Sequence, residues 1–324
     1  MHYSIAELLS APWAILPERL AFVTALLRSA VGQDTRPDTT PQVRIHAATN
    51  AARRTPAGNG AIAVLRFHGI AVQRTDELGE ALGLLSLARF AQSFRAALVD
   101  DSVAGILLDV DSPGGSVYGI MELADEVWRA RGRKPVFAVA NSLAASGAYW
   151  IASSAAEFYV TPGGEVGGIG VVTAHLDMSQ ALEKAGVKTT LVSAGRYKLD
   201  GHPARPLGED ARKHVQSRVD EYYGAFVRSV ARNRGVALAK VRNGMGQGRL
   251  LDAQRATREG MVDDVATIDM VVRKLAQRIG EGKAANASRI AAARQREIDA
   301  LARQPSTVAR RAAARQRLIE LLSV

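Results

Sequence analysis

Two turns contain the residue types that could do chemistry. The first is DSPGG, in which Gly114 and Gly115 follow an apolar run and precede a helix-like stretch. The second is SLAASGAYW, in which Ser146 and Gly147 open another helix-like stretch. The start of a helix has free N–H groups and a partial positive charge, which stabilise an anion. A serine beside such N–H groups would suit acyl transfer, in which the attacked carbonyl becomes an oxyanion.

Each turn also has a purely structural interpretation. Ser146 could be an ordinary helix N-cap, the commoner reason for a serine at that position. Pro-Gly-Gly could be a tight turn and nothing more, and Ser112 is interpreted as a residue that shapes this turn rather than as the nucleophile. Chemistry is favoured because both turns are expected at the carboxyl edge of one parallel sheet, where open α/β sheets build their sites.

A serine nucleophile needs a base. His175 and Asp177 could complete a triad, but residues i and i+2 of a strand point the same way, which gives poor triad geometry. His68 is at an apolar strand end and is interpreted as a core residue. Lys198 follows a predicted buried strand. An ordinary lysine side chain, with a pKa of about 10.4, is a poor base at neutral pH. Lys198 is therefore a loop lysine unless it is buried beside Ser146.

The elements around these residues alternate between strands and helices. Apolar stretches at 61–72, 103–110 and 135–140 predict buried strands, and the segments between them have helical spacing. Further strands are predicted at GIGVVTAHL and VKTTLVSA, and a long helix from residue 208. Near-continuous apolar strands separated by helices are typical of an α/β core with a mainly parallel sheet.

Composition divides the chain into four predicted parts. The first has the spacing of one or two amphipathic helices interrupted near Pro12 and Pro17, and the second is a polar linker rich in Pro, Thr and Gly. The α/β core follows, and then an Ala/Arg-rich helical tail broken at Pro305. The predicted bounds are residues 1–31, 32–59, 60–279 and 280–324.

Charge and cysteine content exclude several classes of protein. The chain of 324 residues has no cysteine, which excludes disulfides, a cysteine nucleophile and thiolate metal sites. Its net charge is +10, and the segment from Lys283 onward has nine Lys or Arg against three Asp or Glu. A solvated helical tail is favoured over nucleic-acid binding for that segment. We expect no membrane span, no signal peptide and a cytoplasmic location.

Several motifs together resemble a known family. DSPGG, SLAASGAYWIAS, VGGIGVV and SAGRYKLDGHP occur in this order over roughly residues 60–270. In order and interval they are similar to the SppA-like serine peptidases, which include signal peptide peptidase A and the head maturation proteases of tailed bacteriophages. The stretch from VTAHLDMSQ to GHPARPL and the leading APWAILPERL resemble the phage branch more closely.

The resemblance implies a Clp-protease/crotonase-type fold of repeated β-β-α units and a Ser/Lys dyad. Ser146 would be the nucleophile and Lys198 the general base. The glycine pair of DSPGG, chiefly Gly114, would form the oxyanion turn, with the Gly147 N–H as a further donor. Gly168 stands where the family often has a serine, which leaves open what orients the lysine.

The resemblance also implies a function. The chain would be a serine endopeptidase without metal or cofactor, cleaving scaffold, portal or capsid proteins in the host cytoplasm or the assembling phage procapsid. It would form a ring-like homo-oligomer that completes its sites between neighbouring subunits, and a monomer with both dyad residues in one chain stays open as the alternative. Two other functions stay open: a scaffold or assembly factor that acts through the tail, and a cytosolic bacterial protein-quality-control peptidase.

Overall fold

The computed structural model describes residues 11–20, 53–57 and 60–302. The chain forms two compact units, residues 1–276 and residues 277–324. The described part of the second unit is the C-terminal portion of one long helix, and the predicted break at Pro305 lies outside the described residues.

The described strands are β1 (Trp13–Ile15), β2 (Arg53–Ala57), β3 (Gly60–His68), β4 (Ile70–Val72), β5 (Leu84–Ser86), β6 (Val103–Ser112), β7 (Gly114–Ser116), β8 (Val136–Ala145), β9 (Glu157–Val160), β10 (Glu165–Gly167), β11 (Leu250–Asp252) and β12 (Asp264–Val265). The described helices are α1 (Glu77–Ala81), α2 (Leu87–Val99), α3 (Ile120–Ala130), α4 (Gly147–Ala152), α5 (Ser179–Lys184), α6 (Glu209–Arg234), α7 (Leu238–Asn243), α8 (Ala253–Arg258) and α9 (Ile268–Ala302).

The main sheet is mostly parallel. Its strand order is β11-β10-β8-β6-β3-β2, with β9 paired to β8 and β12 paired to β9. The pairings at the two ends of this order, β10 with β11 and β2 with β3, are antiparallel, and the others are parallel. The predicted α/β class with a mainly parallel sheet is therefore confirmed.

A smaller sheet contains the second strands of two β-β-α units. Its order is β1-β7-β4-β5. Strands β3 and β4 precede α1, and strands β6 and β7 precede α3, so in each unit the chain leaves the main sheet and continues into the small one. In the β6-β7-α3 unit the chain passes from β6 to β7 through the DSPGG turn. This turn therefore lies where the two sheets meet.

Apolar packing holds the helix that follows Ser146. Trp150 of α4 is 1% exposed and stacks on Phe226 of α6, with ring centroids 4.5 Å apart and ring planes 5° from parallel. Tyr149, also fully buried, donates its hydroxyl to the Met261 carbonyl at 3.0 Å. These contacts anchor the short helix α4, which is too short to be stable by itself.

Three parts of the sequence interpretation are wrong. Residues 168–176, predicted as a strand, form a single isolated bridge at Val172, because the glycines that precede and begin this segment adopt positive φ. Residues 187–194, predicted as a buried strand, are irregular and mostly exposed, since they have no partner strand in the described chain. Residues 53–57, placed in the linker, form β2 beside β3.

The first predicted part also differs. Between the two prolines that were expected to interrupt a helix, residues 13–15 form β1, and residues 17–20 begin a helical turn. A residue that precedes proline is restricted to extended conformations, which favours a strand ahead of Pro17. The remainder of the predicted helical segment lies outside the described residues.

Replacing Phe226 tests the anchor of α4. We expect Phe226→Ala to lower the free energy of unfolding by about 3–5 kcal/mol, because it leaves a cavity against Trp150. The exposed Glu221 of the same helix offers a control, since Glu221→Ala should change stability by less than about 0.5 kcal/mol. Urea denaturation measures both. A loss below about 1 kcal/mol for Phe226→Ala would contradict the anchoring role.

Candidate active site

Ser146 lies in a strained conformation between β8 and α4. Its φ is 53° and its ψ is −116°, a region that L residues seldom adopt. Its N–H donates to the Gly167 carbonyl at 2.6 Å and its hydroxyl donates to the Gly170 carbonyl at 3.3 Å. The side chain makes no capping hydrogen bond to α4, so the ordinary N-cap interpretation is wrong. Strain of this kind is typical of functional positions.

The two glycine-containing turns meet, as expected from the sequence. Gly114 has a φ of 96°, and a Cβ atom added to it would lie 2.9 Å from the Gly147 nitrogen. A Cβ added to Gly115 would lie 1.9 Å from the Ala71 carbonyl oxygen. The backbones are therefore so close that any side chain on the glycine turn would collide with its neighbours.

Ser112 shapes the glycine turn, which confirms its predicted role. Its side chain is fully buried and donates to the Gly69 carbonyl at 2.6 Å. The same hydroxyl oxygen accepts the Gly114 N–H at 3.2 Å. The N–H of Gly114 is thus already bonded within the turn.

The segment after β10 approaches Ser146 from a third side. Gly168 has a φ of 64°, and a Cβ added there would lie 3.1 Å from the Ser146 nitrogen and 3.5 Å from the Ser146 Cβ. A serine at this position would have to adopt the same left-handed backbone and would crowd Ser146. Glycine at position 168 therefore leaves more space around the Ser146 side chain.

Lys198 is exposed, whereas Ser146 is buried, in the described single chain. The Lys198 backbone N–H donates to the Gly195 carbonyl at 3.1 Å. Within the residues that the structure describes, the hydrogen bonds of Ser146 go to Gly167, Gly170 and Trp150, and none joins it to Lys198. One chain therefore assembles the serine and the glycine turns but leaves the candidate base in solvent.

Among the described residues, His175 and Asp177 form no triad with Ser146 either. His175 is half-buried, and its Nε2 lies 3.2 Å from the Arg205 carbonyl oxygen. The Asp177 carboxylate accepts from both the N–H and the hydroxyl of Ser179, and these bonds hold the pKa of Asp177 below its usual value. The hydrogen bonds of the Asp177 carboxylate therefore go to Ser179 and not to the imidazole, in agreement with the sequence argument against a His175–Asp177 pair.

A polar cluster at the carboxyl edge of β3 and β6 was missed. His68 is half-buried rather than in the core, and its Nε2 lies 3.3 Å from Asp109 Oδ2, while Asn141 donates to Asp109 Oδ1 at 3.2 Å. Burial raises the pKa of Asp111; His68 opposes the rise and Asp109 adds to it. Polar residues at i and i+2 of a strand end were the signal, because they share one face of the sheet.

The assembled backbone can do one kind of chemistry. A buried serine hydroxyl beside two closely packed glycine turns can attack a carbonyl whose oxygen points between those turns. N–H groups there would stabilise the resulting oxyanion, as a donor fixed in advance requires no reorganisation during the reaction.

Comparison with known proteins supports this interpretation of the site. Residues 129–282 match the model of peptidase family S49. Capsid assembly protease C of Escherichia phage lambda is 36% identical over 204 residues, which cover 63% of this chain and 46% of that protein. The head-tail preconnector protein GP5 of Enterobacteria phage P21 is 32% identical over 63% of this chain and 40% of its own length. The chain thus spans less than half of either relative.

Among solved structures, a mutant of ClpP1 from Listeria monocytogenes aligns with 63% of this chain and 91% of its own. The sequence identity is 13% and the TM-score is 0.39.

The strain at Ser146 has a measurable consequence. An L residue in such a conformation costs about 1–3 kcal/mol, whereas glycine adopts positive φ freely but loses about 0.4–1 kcal/mol through the unfolded state. We therefore expect Ser146→Gly to be more stable than Ser146→Ala by about 1 kcal/mol in urea denaturation.

Ser153 provides the matched control for this comparison. Its φ is −62°, an ordinary helical value, so Ser153→Gly should be less stable than Ser153→Ala by about 0.5–1 kcal/mol. The strain argument fails if glycine is no better than alanine at position 146.

Proposed function

We propose, from the premise that residues 129–282 belong to peptidase family S49, that this protein is a serine endopeptidase with Ser146 as its nucleophile. The observation that carries the proposal is the apposition of the Gly114 and Gly147 turns beside a strained, buried serine. A buried non-glycine residue at positive φ costs about 1–3 kcal/mol of stability, and residues strained in this way cluster at active sites.

The reaction divides among the residues as follows. A neutral Lys198 amine accepts the hydroxyl proton of Ser146 as the serine oxygen attacks the scissile carbonyl. N–H groups of Gly115 and Gly147 stabilise the oxyanion, and the leaving amine takes the proton. Water activated by the same lysine then hydrolyses the acyl-enzyme. Gly115 replaces Gly114 as the principal donor, because the Gly114 N–H is bonded to the Ser112 hydroxyl.

We assign Lys198 to the site of a neighbouring subunit. Large apolar side chains are exposed along the segment that holds this lysine: Val187 is 51%, Val192 is 92% and Tyr197 is 59% exposed. Contact of this segment with a second copy would bury them and gain hydrophobic stabilisation. The same contact would remove Lys198 from water, which favours its neutral form. The proposed active species is therefore a closed homo-oligomer, in keeping with the expected ring.

We propose proteins of phage head assembly as the substrates. The relatives described above are a capsid assembly protease and a head-tail preconnector protein. Cleavage of scaffold, portal or capsid segments in the host cytoplasm or the procapsid would follow. In the described residues, no helix has the length and apolar content to cross a membrane.

Two variants test the dyad. We expect Ser146→Ala and Lys198→Ala each to lower turnover by about 10³-fold or more, since nucleophile and base act as a unit. Lys188→Ala is the matched control, because Lys188 is an exposed lysine of the same irregular segment. A proteome-derived peptide library analysed by mass spectrometry detects cleavage without a known substrate. Lys198→Ala activity equal to that of Lys188→Ala would exclude the dyad.

Mixing the two inactive variants tests the shared site. If one chain supplies Ser146 and its neighbour supplies Lys198, mixed oligomers of Ser146→Ala and Lys198→Ala contain sites with both residues intact. We expect peptide cleavage to return on subunit exchange, to about one quarter of the wild-type rate for random mixing in a ring. No recovery in oligomers that native mass spectrometry shows to be mixed would mean that each chain supplies both residues.

A further inference from the structure

Residues 12–16 cross the candidate site as an extended strand that is bonded along both edges. On one edge, the Leu16 N–H donates to the Pro113 carbonyl at 3.1 Å and the Val117 N–H donates to the Pro12 carbonyl at 3.2 Å. On the other, Trp13 and Val172 exchange two N–H···O bonds of 2.8 Å each. The segment therefore fills a slot between β7 and the chain around residue 172.

The register places one carbonyl at the site. In an antiparallel ladder, residue pairs that exchange hydrogen bonds alternate with pairs that do not. The bonds at Leu16 and Val117 flank the pair of Ala14 and Gly115, so this pair is hydrogen-bonded and the Ala14 carbonyl faces the Gly115 N–H. Gly115 is one of the two N–H donors that the proposed mechanism assigns to the oxyanion.

Independent distances locate the Ala14 oxygen between the two turns. It lies 2.1 Å from the point where a Cβ on Gly114 would sit, and the Gly147 nitrogen lies 2.9 Å from that same point. A Cβ on Gly147 would lie 3.1 Å from the Ala14 oxygen. The carbonyl of Ala14 thus occupies the position in which the proposed mechanism needs the carbonyl of a substrate.

The side chains of the segment alternate as those of a bound peptide do. Trp13 and Ile15 are 1% and 4% exposed and pack with Leu20 and Ile70 in a separate apolar cluster. Ala14 points to the opposite face and is fully buried, and its Cβ lies 3.5 Å from where a Cβ on Gly147 would sit. Residue 14 is thus held in a space that fits a small side chain.

We propose that residues 12–16 are a resident inhibitory strand, which occupies the substrate's place and must leave before a protein substrate binds. The inference rests on the proposed function. Substrates would enter by the same addition of a strand to a sheet edge. The residue that supplies the scissile carbonyl would be small, like Ala14, and large apolar residues would flank it, like Trp13 and Ile15.

An engineered disulfide can lock the strand in place. Trp13 and Val172 exchange both backbone bonds, so their Cα atoms are expected about 5.5 Å apart, a separation that suits a disulfide. The chain has no cysteine, so Trp13→Cys with Val172→Cys introduces a single pair. The wild type under the same oxidant and reductant is the control for the treatment.

Binding is measured apart from catalysis. The lock is made in the Ser146→Ala background, and the probe is a fluorescent peptide of the sequence LSAPWAILPE, residues 9–18 of the chain. We expect the reduced protein to bind the probe and the oxidised protein not to bind it. Equal binding by both forms, with the disulfide confirmed by mass spectrometry, would overturn the proposal.

A second variant releases the strand without altering the slot. Ala14→Asp places a charge at a fully buried position, which expels the segment because a buried, unpaired charge is costly. A tethered segment competes at an effective concentration of about 1 mM, so a probe at about 10 µM would occupy roughly 1% of the wild type. For a probe whose Kd for the empty slot is below about 10 µM, the fraction of Ala14→Asp protein with bound probe should be roughly 100-fold higher. Glu18→Ala, at an exposed position just beyond the segment, is the control. A folded Ala14→Asp protein with unimproved binding would contradict the inference.

The size of the residue at the carbonyl is tested with a second probe. Phenylalanine in place of the peptide's central alanine should weaken binding at least about fivefold, because it would overpack the space that holds Ala14. Equal binding of the two probes by the reduced protein would overturn the preference for a small residue.

Hydrolysis by the same variants with Ser146 restored separates this inference from the proposed function. Cleavage that is equal in locked and reduced proteins would refute the resident strand and leave the peptidase standing. Probe binding that follows the lock, with no cleavage of any peptide by any form, would refute the peptidase and leave the occupied slot standing.

Discussion

The close contact of two backbone turns is the constraint on which the rest of the site depends. Parallel pairing of β6 with β8 aligns Val110 with Ala140 and, after a register shift, Ser112 with Ala144. The strands therefore end side by side, and the turns that follow them touch at Gly114 and Gly147. Glycine is required because backbone atoms fill the space that a side chain would take. The side chain of Ser146, the residue before Gly147, therefore lies beside this contact of the two backbones.

This rigid arrangement is supported from several directions at once. Ser146 is held at positive φ by its bond to Gly167, the glycine turn is held by the Ser112 hydroxyl, and α4 is anchored through Trp150. Strained conformations persist only where the surrounding structure over-determines them. The segment with Lys198, in contrast, is exposed and largely irregular. The two halves of the proposed dyad therefore differ in rigidity, as expected if one half is completed by association.

Sequence reasoning found what local patterns encode. Apolar runs predicted β3, β6 and β8, and small residues at strand ends predicted the turns at 114 and 146, because period, burial and glycine chemistry are local properties. The strand with which a segment pairs, in contrast, is set by residues far away in the sequence. Residues 187–194 have the apolar and β-branched content of a strand but no strand to pair with in the described chain. Residues 13–15 have the spacing of a helix, and the sheet edges at Gly115 and Val172 override it.

Under these proposals, a single chain is inactive for two reasons: its base is not at the site, and its own residues occupy the place of the substrate. The base is exposed on the segment that contains Lys198, and the slot for substrate is filled by residues 12–16. Both conditions involve one stretch of chain, since Val172 bonds to Trp13 and the residues that follow lead to Lys198. A neighbouring subunit that binds this stretch would therefore affect both the environment of Lys198 and the backbone at Val172 that holds residues 12–16. A protease made among its own substrates would then remain silent until its subunits assemble.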